Sequence, residues 1–107
     1  MSFTLRDVQR MAAERFPFDD EHYPEIPKDK EGAGHYAQRH ILLHLIKSLG
    51  EVAAAIEPKD HGAKGSHVSP QVIRKLLVNA LRLADVSGAS MQEIQASLEN
   101  WAKGLER

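Results

Sequence analysis

Cysteine is absent from the 107 residues, which excludes disulfides and thiolate-bound zinc. No apolar run approaches the ~18 residues of a membrane span. The opening stretch, MSFTLRDVQR, is charged within its first six positions and lacks a signal peptide's apolar run. The expectation is therefore a cytoplasmic protein with no membrane partner. Basic excess is lacking too. Lys and Arg number 14 against 15 Asp and Glu, so nothing in the net charge of −1 drives binding to a nucleic-acid backbone. Period-two alternation is missing, so no strands are expected. No glycine-rich loop follows a strand, which removes P-loop and Rossmann chemistry. There is no internal repeat and no low-complexity tract.

What is present is helical, and the length fits one domain spanning 1–107. A domain this small buries only about 60–70% of its unfolded surface, so a partner subunit would help it. Leu5, Val8, Met11, Ala12 and Phe16 mark a first helix from about Thr4, its N-cap, to Phe16, where Pro17 ends it. The Pro- and Gly-bearing stretch 17–34 reads as a long connection, which Phe18, Tyr23 and Ile26 can pin to the helices.

A long second helix runs from about His35 to Glu57. Leu42, Leu45, Ile46, Leu49, Ala53 and Ile56 form its expected core face. His40, His44, Lys47 and Glu51 stack on the opposite side, as a stripe that either meets water or makes a site. Pro58 stops this helix, and a flexible Gly/Lys/His loop follows to Val68.

Ser69-Pro70 opens a third helix, whose expected apolar face is Val72, Ile73, Leu76, Leu77, Ala80, Leu83 and Ala84. Gly88 suits the left-handed position beyond its end. Ser90-x-x-Glu93 is a capping box for a fourth helix with Met91, Ile94, Leu98, Trp101 and Leu105 on one side. Trp101 reads as core or subunit-interface packing. The expected fold is all-α, four helices packed as a bundle.

The segments HLIKSLGEVAAAI and VIRKLLVNALRLADVSGASMQEI, together with Arg15-Phe16-Pro17, resemble the MazG-like family over roughly Gln38 to Leu98. LGEVAAAI and LRLADVSG match best. The resemblance implies an all-α nucleoside-triphosphate pyrophosphohydrolase, assembled as a homodimer or dimer of dimers and dependent on Mg²⁺. The family's middle helix carries two adjacent acids and a third three residues on, and its next helix carries Glu-x-x-Asp. Here those positions hold Lys47, Ser48, Glu51, Val72 and Lys75. One acid of five remains, and Asp and Glu are absent between Gln71 and Leu83. An ammonium group repels Mg²⁺, which needs oxygen ligands. The fold is implied, but the usual chemistry is opposed.

Three readings stand open. In the first, the chain is weakly active or non-catalytic, and binds a nucleotide or partner through Lys47, Lys75 and the His40–His44 stripe. In the second, it hydrolyses a nucleoside triphosphate to the monophosphate and pyrophosphate, using Glu51 with unidentified ligands. In the third, Ala84 to Ile94 is the turn of a DNA-binding helix-turn-helix. Against that last reading, Glu93 and Glu99 would face a polyanion and no Lys or Arg lies between Ser90 and Trp101. His40 and His44, spaced i, i+4, can also chelate a transition metal. Glu51 lies ~16 Å further along the axis than His40 and cannot share an ion with it. Beyond the Mg²⁺ implied by the family, no cofactor is assigned.

Overall fold

The structure is a computed structural model that describes residues 2–105. Four α-helices are present, with no strand among the described residues: α1 (Leu5–Arg15), α2 (Lys30–Ile56), α3 (Pro70–Val86) and α4 (Met91–Ala102). The expected starts of α1, α3 and α4 hold. The Thr4 hydroxyl accepts from the Asp7 N–H while the Asp7 carboxylate accepts from the Thr4 N–H. Ser90 and Glu93 make the same reciprocal pair. Ser69 Oγ accepts from the Val72 N–H at 3.2 Å, with Pro70 in the first turn, where no N–H is needed. Gly88 takes φ +79, the left-handed turn that separates α3 from α4.

Helix α2 begins earlier than its sequence suggests. Asp29 is its N-cap, accepting from the Gly32 N–H at 2.7 Å, so 30–34 belong to the helix and not to the connection. The glycine that reads as a breaker is a packing device. A Cβ on Gly32 would lie 2.7 Å from Asp29 Oδ1 and 2.8 Å from Pro27 Cβ. At the other end, Glu57–His61 forms a 3-10 turn where a flexible loop was expected to begin. The connection before α2 is pinned as expected. Phe18 and Tyr23 stack at 4.9 Å, and both rings meet His40.

The packed body is α1, α2 and α3, with α3 touching both of the others. Gln9 of α1 donates to the Leu81 carbonyl of α3 at 3.0 Å, and Gln38 of α2 donates to Ser87 at 3.1 Å. The covered face of α2 carries Ala37, Ile41, Ser48 and Ala55, at helical spacing. Its small residues suit a close approach to α3.

This overturns the expected core face of α2. Leu42, Ile46, Leu49 and Ile56 are each about half exposed, with Ile46 at 55% and Leu49 at 56%, and Ala53 is exposed as well. Only Leu45 of that set is half-buried. On α3, Ile73, Leu77 and Ala80 are likewise exposed, whereas Asn79 and Arg82 are buried. Apolar spacing identifies a face that avoids water, but not which surface covers it.

Helix α4 touches the body only slightly among the described residues. Its first residue, Met91, is buried, but Leu98 and Trp101 are exposed. The core reading of Trp101 therefore fails, at 62% exposure. Leu105 lies past the helix end, also exposed.

The result is an extended molecule. Its radius of gyration is 16.7 Å, where about 13 Å is usual for a compact chain of this length. Its accessible surface is 8287 Å² at 11.9 kDa, about 2,300 Å² beyond the scaling for a compact monomer.

Candidate functional site

Most of the polar stripe of α2 borders a recess, although His44 and Lys47 remain exposed to water and His40 lies outside it. The recess is a cavity of about 480 Å³ between α1, α2 and α3. Helix α2 contributes His44, Lys47, Ser48 and Glu51, all on one side by helical spacing. Helix α3 contributes Arg74, Lys75, Val78, Asn79 and Arg82. Helix α1 adds Val8, Met11, Ala12 and Arg15, and Phe16 and Tyr23 close the edge. The volume lies within the range of small-molecule sites.

The charge is lopsided. Arg15, Lys47, Arg74, Lys75 and Arg82 line the cavity against one carboxylate, Glu51. In a chain of net charge −1, this is a local concentration of positive charge. Lys75 Nζ lies 3.5 Å from Glu51 Oε1. The pair is part-exposed and therefore weak. Among the described residues the other four cations make no ion pair within the cavity.

Arg82 is the unusual member. It is only 9% exposed, a poor place for a charge without a counter-ion. Nη1 donates to Asn79 Oδ1 at 3.1 Å, and Asn79 Nδ2 in turn donates to the Lys75 carbonyl. Nη2 is buried with no hydrogen-bond partner. The guanidinium carbon lies 5.4 Å from the Phe16 ring centroid and 5.1 Å from that of Phe18, which orients the fork through cation–π contact. A guanidinium held this way and left with a spare donor is matched to a phosphate or carboxylate.

His40 and His44 adjoin this group. Their Nε2 atoms are 3.0 Å apart and share a hydrogen bond, so at least one ring is neutral. Burial holds His40 below its ordinary pKa, helped by the charges of His44 and Arg82. Burial holds His44 down too, followed by Arg82 and Lys47. His40 is enclosed by aromatics: it stacks on Tyr36 and meets Tyr23 and Phe18 edge-on.

Four of the five positions carried over from the family motif, Lys47, Ser48, Glu51 and Lys75, line this one cavity. Val72 is buried and does not line it. The donor set does not fit Mg²⁺. The cavity offers a single carboxylate, already engaged by an ammonium group, where Mg²⁺ wants an octahedron of oxygens. Among the described residues no three His, Asp or Glu side chains converge on a point that could hold a metal. The His40–His44 pair comes together without a third ligand, fewer than zinc sites use.

Reading the sequence alone missed Arg15, Arg74, Asn79 and Arg82. Arg82 had a signal: with Lys75 and Asn79 it falls on one α3 face, a polar line inside an otherwise apolar pattern.

Comparison of the chain with protein families, curated proteins and solved structures finds no match.

Proposed function

We propose that the chain is a MazG-like protein whose metal-binding acids have been replaced, and that it binds a nucleotide in the cavity between α1, α2 and α3 without turning it over. The single observation that carries this is Arg82: a buried guanidinium with an unspent donor, among four more basic side chains. A buried cation left unpaired is costly, and an anionic ligand would supply the missing partner. Lys47 and Lys75 stand with it as phosphate contacts. Tyr23 and Phe16 line the edge, where a base would lie against them. Catalysis is opposed by the donor set. A hydrolytic site of this kind would need Mg²⁺ held by several carboxylates, and Glu51 alone is present.

The same reading makes the chain a homo-oligomer. Support comes from the apolar outer side of α2 (Leu42, Ile46 and Leu49), with Leu77 and Trp101 also bare on α3 and α4. The excess surface of about 2,300 Å² exceeds the ~800 Å² per partner that a standard interface buries. A second copy is the occupant that this much self-exposed apolar surface fits.

The test is a pyrophosphate-release assay across nucleoside triphosphates, with Mg²⁺ and with Mn²⁺, run beside a binding titration. Binding without turnover is expected. Robust turnover that Glu51→Ala abolishes would instead favour an active pyrophosphohydrolase.

A further inference from the structure

We infer that the cavity takes its polyphosphate ligand free of metal, its basic side chains standing where Mg²⁺ would otherwise neutralise the phosphates, so that Mg²⁺ weakens binding. This deepens the proposed function and rests on it.

The argument starts from charge. A divalent cation entering with the ligand would meet Arg15, Lys47, Arg74, Lys75 and Arg82, with one carboxylate to hold it. That carboxylate, Glu51, would have to leave Lys75, 3.5 Å away, to bind the ion. The released ammonium would then face the ion as a repelling neighbour. A bare polyphosphate meets the opposite situation. Each basic side chain gains a counter-ion, and the unpartnered Nη2 of Arg82 gains an acceptor. Arg82 is oriented by Asn79 and by the rings of Phe16 and Phe18, and its covered Nη2 must be opened to the cavity as the phosphate docks.

Competition follows. In solution Mg²⁺ occupies the same phosphate oxygens that Arg and Lys need. Ligand carrying Mg²⁺ must release it before docking. The apparent affinity therefore falls with the metal-free fraction, by the arithmetic that governs any binding-competent minority.

Glu51 gives a test of opposite sign. In a metal-bridged site it is a ligand, and Glu51→Gln weakens binding. In a metal-free site it is the one repelling group, and Glu51→Gln frees Lys75 and tightens binding. The ion pair it breaks is part-exposed, so folding should survive, and a melting curve on the same sample checks it.

The experiment is calorimetric titration of the whole chain with the common ribonucleoside triphosphates, in EDTA and in millimolar MgCl₂, for wild type and Glu51→Gln. Inorganic tripolyphosphate serves as competitor. At least one nucleotide is expected to bind in EDTA and to lose about tenfold in affinity in MgCl₂. Glu51→Gln should bind more tightly in EDTA, and tripolyphosphate should displace the nucleotide. Tighter binding in MgCl₂, or loss of binding in Glu51→Gln, would overturn the metal-free inference while leaving nucleotide binding intact. Failure of tripolyphosphate to displace a bound nucleotide would overturn the placing of phosphates among the basic residues. No binding under either condition would overturn both this inference and the proposed function.

Discussion

Helix α2 presents two contrasting sides. On one, His44, Lys47 and Glu51 line a cavity closed by α1 and α3. On the other, Leu42, Ile46 and Leu49 face outward, about half exposed, with nothing among the described residues covering them fully. The covered face between them carries Ala37, Ile41, Ser48 and Ala55, so the polar stripe flanks a small-residue packing face while the larger apolar side chains lie outward. The proposed function assigns the two sides different partners. On that proposal the charged groups at the cavity would be completed by a charged ligand, and the outward apolar groups by another subunit. Which face is covered depends on contacts beyond the helix, while periodicity is a property of one helix.

The contrast can be broken most forcefully from the outer side. Ile46→Asp with Leu49→Asp should convert the proposed oligomer to monomer, weakening self-association at least ~100-fold if these residues sit at the interface centre. Sedimentation velocity reads this directly, and circular dichroism should show helices retained. A wild-type chain that sediments as a monomer at high concentration would show that the outer side has another role.

From the inner side the largest effect should come from Arg82→Met, which removes the buried donor. Triphosphate affinity should fall at least ~tenfold, the scale of a charge-assisted contact. Lys59→Ala and Lys64→Ala, exposed and outside the cavity, should stay within about twofold. Equal losses at all three would mean diffuse electrostatic attraction and no built site.

The His40–His44 pair makes the inner side sensitive to pH. Both pKa values lie below the ordinary 6.5, so the folded state binds fewer protons than the unfolded chain in the window beneath it. The stability they contribute is full above that value and is lost as pH falls. An anionic ligand acts in the other direction, because it favours charged imidazole beside Arg82 and Lys47. Triphosphate affinity should therefore rise as the free protein's melting temperature drops. His40→Gln with His44→Gln should flatten both trends. The surrounding Tyr23, Tyr36 and Phe18 rings add no competing carboxylate.

Much of this was legible in the sequence, for local reasons. Thr4, Ser69 and Ser90 each announce a helix start because a cap is a contact over three residues. Lys47, Ser48, Glu51 and Lys75 were recognisable as one group from a motif, and they do share a cavity. What stayed hidden depends on distant contacts. Gly32 reads as a breaker until the Asp29 and Pro27 side chains beside it are seen. Arg82 reads as surface until Phe16 and Phe18 fold over it. Leu49 reads as core until Ser48 and Ile41 prove to be the buried residues instead.

A smaller effect separates α3 from α4. Ser69→Ala should cost about 1 kcal/mol of global stability, since α3 is part of the packed body. Ser90→Ala removes a similar cap, but α4 touches that body only slightly. In the monomeric outer-side variant it should fray α4 and leave the melting temperature of the rest nearly unchanged, as amide exchange would report.

The most direct measurement is an anomalous-scattering crystal structure of the chain grown with Mn²⁺ and a nucleoside triphosphate that binds it. The expected map has phosphate density against Arg82, Lys47 and Lys75 and no anomalous peak within coordination distance of Glu51. A manganese ion seated between α2 and α3 on protein oxygens would contradict it.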